Sequence, residues 1–143
     1  MHGNMLSRWT DFLTTDGEKE FRNRDQEFEA IIKNAPDMFK KWEAGWKVLF
    51  DTLDNIDDQN IDTTIYIRNQ GHSIVEAVQR QLCHYAYHVG QIVFYAKILK
   101  EDNAFESLSI PKGESKAYNK DKFSAPKTKK HFTDEYLNSE NNG

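Results

Sequence analysis

One cysteine, Cys83, stands in the 143 residues, which rules out an intrachain disulfide and any multi-cysteine metal cluster and agrees with a reducing compartment. No long apolar run is present. The longest stretch free of Asp, Glu, Lys and Arg is the 16 residues from Gln81 to Ala96, with two His and two Gln among them. It is too short and too polar to span a bilayer, which takes about 20 apolar residues. The opening MHGNMLSRW lacks the apolar core and small-residue cleavage site of a secretory signal, so the expected location is cytoplasmic with no membrane partner. Positive charge is not in excess. With 19 Lys and Arg against 23 Asp and Glu, the formal net charge is −4, which argues against a nucleic-acid partner. Apolar residues make up 38%, less than the roughly 45–50% of an ordinary globular domain. Part of one soluble domain is therefore expected to stay unpacked.

The residues that are present read as helices. Met5, Leu6, Trp9, Phe12 and Leu13 form an amphipathic stripe that predicts a helix over 2–14, with His2 on its inward face. The polar stretch 18–29 has no sustained period and reads as a connection, with a turn of helix around 26–32. Asn34 before Ala35, Pro36 and Asp37 marks the start of a second helix that ends near Asn55. Thr63 to Ile67 reads as an extended connector with no evident strand to pair with. Ser73 and Glu76 form a capping box ahead of a third helix from Ile74 to about Lys100, apolar almost all round and so expected to be the most buried. From Glu101 the chain reads as loop, and after Phe123 as a polar, Lys-rich, disordered tail.

Chemistry is concentrated in the third helix. His84 and His88 are four residues apart, so both imidazoles share a face and can hold one divalent ion. With the inward-facing His2, three neutral nitrogen ligands from two helices can form a facial set with positions left open for water or substrate. Tyr85 stands where a zincin-type protease needs its catalytic Glu. Arg80, Gln81 and Gln91 lie three or four residues from a His and are candidates to orient ligands or substrate. No Asp or Glu on this helix is near the pair, Glu76 being two turns from His84, so no general base is assigned. Cys83 points about 100° away from His84 and reads as a small core residue. Trp9, Trp42 and Trp46 read as core, with one indole a candidate neighbour of the metal cleft. The seven Lys between Lys112 and Lys130 read as a solvated tail, and His72 and His131 as bystanders.

The runs HYAYHVGQIVFYAKIL, MHGNMLSRWTDFLTTDGEKEFRNRDQEFE and SLSIPKGES together resemble a branch, of unknown function, of the DinB/YfiT-like superfamily of metal-binding four-helix bundles. The resemblance covers Met1 to about Phe123. It implies an all-α, up-and-down bundle over residues 1–123, followed by the polar tail of 124–143. It also implies a divalent metal on His2, His84 and His88, either Zn, Ni or Fe, with Cu equally compatible with neutral imidazoles. Members that resemble this branch carry a helix and a linker ahead of the first ligand, whereas His2 here follows Met1. The expectation is therefore a bundle truncated at its N-terminus, with an apolar groove exposed.

The function implied by the resemblance is metal-dependent small-molecule chemistry. A low-molecular-weight thiol would be transferred to an electrophile, or a related hydrolysis carried out, by a homodimer. The alternative is a non-catalytic dimeric interaction protein whose His cluster is structural or vestigial.

Overall fold

The two long helices start where their first turns dictate. Asn34 Oδ1 accepts the backbone N–H of Asp37 at 2.8 Å, with Pro36 in the first turn, and opens α2 (Ala35–Asp54). Ser73 Oγ accepts from Glu76 N at 3.1 Å while Glu76 Oε2 accepts from Ser73 N at 2.8 Å, a reciprocal box that opens α3 (Ile74–Leu99). These belong to a computed structural model that describes residues 1–29, 32–100, 105 and 107–129. Its remaining elements are α1 (His2–Trp9), a 3-10 turn (Asp25–Phe28), β1 (Thr64–Ile67), β2 (Gln70–Ser73) and α4 (Ser115–Ser124).

The expected all-α, up-and-down bundle is not what forms. β1 and β2 pair as an antiparallel hairpin, Thr64 opposite Ser73 and Ile67 opposite Gln70, so the described residues make a mixed fold. The connector read over 63–67 thus has a partner strand. Gln70–Ser73 is polar and shows no apolar alternation, because on this short ribbon only Ile65 and Ile67 are deeply buried. Arg68 and Asn69 both take positive φ, 53° and 61°, as a two-residue hairpin turn requires. Their conformation is held from far along the chain. Asp16 accepts from Arg68 N through Oδ1 and from Asn69 N through Oδ2, both at 2.8 Å, and its Oδ1 also accepts from Glu18 N at 2.8 Å. Gly17 N donates to Tyr66 O at 2.8 Å and adds a rung beside the turn.

α1 is shorter than the stripe of 2–14 suggests. Thr10 turns extended and Asp11 takes φ 47°, and the hydroxyls of Thr14 and Thr15 then bond to Asp11 O. Phe12 is nevertheless buried, with Met5 and Trp9, in the core shared by Leu49, Ile65, Ile67, Ile74, Ala77 and Tyr85. α1 approaches α2 where Gly45 carries no side chain, since a Cβ there would lie 2.9 Å from Met5 Sδ. Thr52 Oγ1 donates to Trp9 O at 2.8 Å, and Trp9 Nε1 donates to Tyr85 Oη at 3.1 Å. The helix expected to be most buried is not: α3 buries Ile74, Ala77, Gln81 and Tyr85, while Leu82, Val89, Ile92 and Phe94 are exposed. An apolar pattern that runs all round a helix does not say which sides find a neighbour.

The chain divides into two units, Met1–Phe94 and Tyr95–Gly143. In the second, α4 replaces part of the loop expected after Glu101; it buries no residue, so it carries no apolar period to read. Residues 125–129 are exposed, and the rest of the expected disordered tail, 130–143, lies outside the described residues. Among the described residues no helix is long and apolar enough to cross a membrane.

Asp16 generates the first prediction. Burial alone would raise its pKa, but the N–H groups of Asn69, Glu18 and Arg68 outweigh this and hold the carboxyl below its usual value. A depressed acid contributes stability above its unfolded pKa and loses it as pH falls through the folded one. Asp16→Ala is expected to destabilise the chain by about 2 kcal/mol in urea unfolding at pH 7. The gap from wild type should narrow toward pH 3.

Candidate functional site

His84 and His88 lie one turn apart on α3, with ring centroids 4.7 Å apart and Nε2 atoms 2.9 Å apart. Each ring is held at its other nitrogen, as the spacing of Gln81 and Gln91 suggests. Gln81 Nε2 meets His84 Nδ1 at 3.1 Å, and His88 Nδ1 meets Gln91 Oε1 at 3.0 Å. Gln81 Nε2 also donates to Asn4 Oδ1 of α1 at 3.1 Å, and Gln91 Nε2 to Tyr87 Oη at 2.9 Å. With these amide orientations the protons run one way. Gln81 donates to His84, which donates through Nε2 to His88, which donates through Nδ1 to Gln91. Each imidazole then carries one proton and is neutral. A second proton on either ring would set two N–H groups against each other.

The surroundings favour the same state. Burial, then His88, the N-terminal amine, Arg22 and Arg8, lower the pKa of His84. The pair lines a cavity of about 810 Å³ together with Met1, Asn4, Gln81, Tyr87 and Phe28. The same wall carries five arginines, Arg8, Arg22, Arg24, Arg68 and Arg80, against one carboxylate, Glu27. Glu27 is the acid that a search along the His-bearing helix misses, because it arrives from the 3-10 turn. It is engaged by Arg22, whose Nε lies 2.7 Å from Glu27 Oε1. Arg22 and Arg68 share Glu18 Oε2, at 3.4 and 3.2 Å.

His2 is not brought to this cavity. It is half-buried at the start of α1, with its pKa lowered by burial, then by Lys41 and the N-terminal amine, against Glu27, which raises it. Among the described residues no group of three or more His, Cys, Asp or Glu is placed to hold a metal ion. The two His of α3 therefore come together and the third does not. Arg80 lines the cavity but makes no hydrogen bond to His84. Cys83 is exposed and is not the core residue expected, since the side of α3 that is buried runs through Ile74, Ala77, Gln81 and Tyr85. No indole lines the cavity: Trp9 is core, and Trp42, Trp46 and Phe50 stack along α2, with Trp46 against Tyr85. His72 sits on β2 opposite Ile65, away from the cavity, and His131 lies outside the described residues. Arg8 of α1, Arg22 and Arg24 of the connection that follows, and Arg68 of the hairpin turn come from three separate segments, and no spacing in the sequence signals their convergence. The one local hint is that Arg8 stands four residues after Asn4 and so shares its helix face.

The lowered pKa of His84 sets a pH dependence. The unfolded chain takes up this proton near pH 6.5 and the folded chain only at lower pH, so stability is full above that value and falls below it. His2 has the same sign. The melting temperature is expected to drop between pH 7 and pH 5, and less steeply in His84→Gln than in the wild type. Equal slopes in the two proteins would contradict this account.

No curated protein and no solved structure matches the chain. A family profile, described as "Protein of unknown function (DUF1572)", matches residues 1–114. That stretch holds the hairpin, α1, α2, α3 and every residue of the cavity, and the chain is a member of the DUF1572 family.

Proposed function

We propose that the chain is a divalent-metal-binding protein related to the DinB/YfiT-like superfamily, with His84 and His88 as the core of the site and small-molecule chemistry in the adjoining cavity. The observation that carries this is the pair of facing Nε2 atoms, 2.9 Å apart, on rings whose Nδ1 atoms are already engaged. Two nitrogens on one tetrahedral ion are about 3.3 Å apart, so the pair needs to open by only a few tenths of an ångström. The donor set suits Zn, Ni or Fe.

His84 must then carry its proton on Nδ1, and Gln81 can accept it by turning its amide. His2 is the proposed third ligand. The first turn of α1 has to rearrange for its imidazole to reach the cavity, and a helix end, with its unpaired amides, is where such a change is least costly. A bound ion would supply Lewis acidity at neutral pH to a thiol or water. The chain's own contribution is to keep the imidazoles neutral, hold their rings and enclose the substrate. The reaction that fits is transfer of a small thiol to an electrophile, or a related hydrolysis, in the cytoplasm.

Elemental analysis of the untagged protein tests this. About one divalent ion per chain is expected, lost in His84→Ala and weakened in His2→Ala. Thiol-dependent turnover with a panel of electrophiles should disappear in His84→Ala. Failure of added Zn and Ni to bind the wild type would remove the metal reading.

A second reading, a non-catalytic homodimer with a structural His cluster, draws support from the exposed Leu82, Val89, Ile92 and Phe94 on α3. It predicts a dimer in sedimentation equilibrium that Leu82→Glu with Val89→Glu converts to monomer, with metal-dependent melting but no turnover.

A further inference from the structure

Arg8 is the most unusual side chain in the cavity wall. It is only 8% exposed, yet no carboxylate or carbonyl is hydrogen-bonded to it among the described residues, and its Nε is buried without any partner. A buried cation left this way is costly, and structural arginines avoid the cost by pairing. The neighbours show the contrast: Arg22 is paired with Glu18 and Glu27, and Arg68 with Glu18. Glu18 is the carboxylate whose field most favours the charge of Arg8 among the described residues, and it is already shared by those two. Burial, and after it repulsion from Arg80, Arg22 and Arg68, lowers the pKa of Arg8.

The chain also makes room for this guanidinium. Gly17 lies against it, and a Cβ there would stand 2.9 Å from Arg8 Cδ and 3.1 Å from its Nε. A chain of net charge −4 thus gathers five arginines around one cavity and leaves the most buried of them without a partner.

We infer that the cavity takes a small molecule bearing an oxyanion, a carboxylate or a phosphate, and that Arg8 is the residue on which this group seats. A guanidinium offers such a group a planar fork of donors, and the anion would relieve the repulsion among Arg8, Arg80 and their neighbours. The seat shares its cavity with the His pair, and His84 lies within the field of Arg8 and Arg22. A divalent cation would be repelled by the same arginines, and an anionic ligand would offset that repulsion. This inference deepens the reading above by naming a substrate class, but the seat itself needs no metal.

The test uses the full chain stripped of metal, with inorganic phosphate and succinate titrated calorimetrically at constant ionic strength set by chloride. Saturable binding of at least one of the two is expected, and the tighter one identifies the class. Arg8→Met should weaken it at least about tenfold, and Arg8→Lys several-fold through loss of the fork. Arg80→Gln, at an exposed position that does not threaten folding, should weaken it about threefold. Arg8→Met should melt no lower than the wild type without ligand, because it removes a buried unpaired charge.

Binding retained in His84→Ala separates this seat from the metal site, so loss of the metal reading leaves it standing. Three results would overturn it: no saturable binding of either anion, affinity unchanged in Arg8→Met and Arg80→Gln, or a ligand-free Arg8→Met that melts well below wild type while Arg80→Gln binds normally. The last would make Arg8 a structural residue.

Discussion

An eight-residue helix does not hold itself together in water, and α1 depends on the neighbours that bury Met5, Ser7, Arg8 and Trp9. Trp9, 1% exposed, donates to Tyr85 on α3, and its carbonyl accepts from Thr52 on α2. Ser7 Oγ, fully buried, donates to Gly17 O and accepts from Lys19 N, which fixes the polar connection that follows. Asn4 reaches Gln81, and through it His84. The core, the hairpin and the His pair all meet at this one short element. Whatever displaces α1 displaces the wall of the cavity with it.

The cavity sets two electrostatic demands against each other. The hydrogen-bonded sequence from Gln81 to Gln91 is satisfied with one proton on each imidazole, and at His84 burial, followed by the nearby positive charges that include Arg22 and Arg8, reinforces that neutrality. The same arginines leave the space between them strongly positive, with Glu27 and Glu18 already committed to Arg22 and Arg68. Neutral nitrogen donors and uncompensated guanidiniums in one enclosure are suited to different parts of one ligand. The arrangement raises the cost of the empty fold and makes that cost recoverable on binding, the usual relation between function and stability at a built site.

Several parts of this were legible residue by residue, because the forces concerned act within a few positions. Asn34 with Pro36 and Asp37, and Ser73 with Glu76, announce the helix starts through caps that close inside one turn. The spacing of Gln81, His84, His88 and Gln91 places each amide on a ring nitrogen, since residues three apart on a helix are neighbours. The hairpin was not legible. Its second strand is polar, its turn is Arg68-Asn69 rather than a glycine pair, and the carboxylate that holds that turn is Asp16, about fifty residues earlier. The helix at Ser115–Ser124 escaped the pattern because it buries no residue, and Cys83 because an apolar pattern all round α3 does not say which sides are covered. α1 ends at Trp9 because Thr10 turns extended and Asp11 takes positive φ, although Phe12 beyond it is still buried.

The sequence by itself determined the two long helices, their caps, the pairing of His84 with His88 and its glutamine supports, because these are short-range consequences of side-chain chemistry on a helix. Only the tertiary structure decided that His2 stands apart from that pair, that Thr64–Ser73 folds as a hairpin, and that arginines from separate segments converge on one cavity around a buried, unpartnered Arg8. Those outcomes depend on which distant surfaces meet. Charge and burial become physical quantities for Arg8 only once Gly17, Arg80 and the hairpin have taken their places around it.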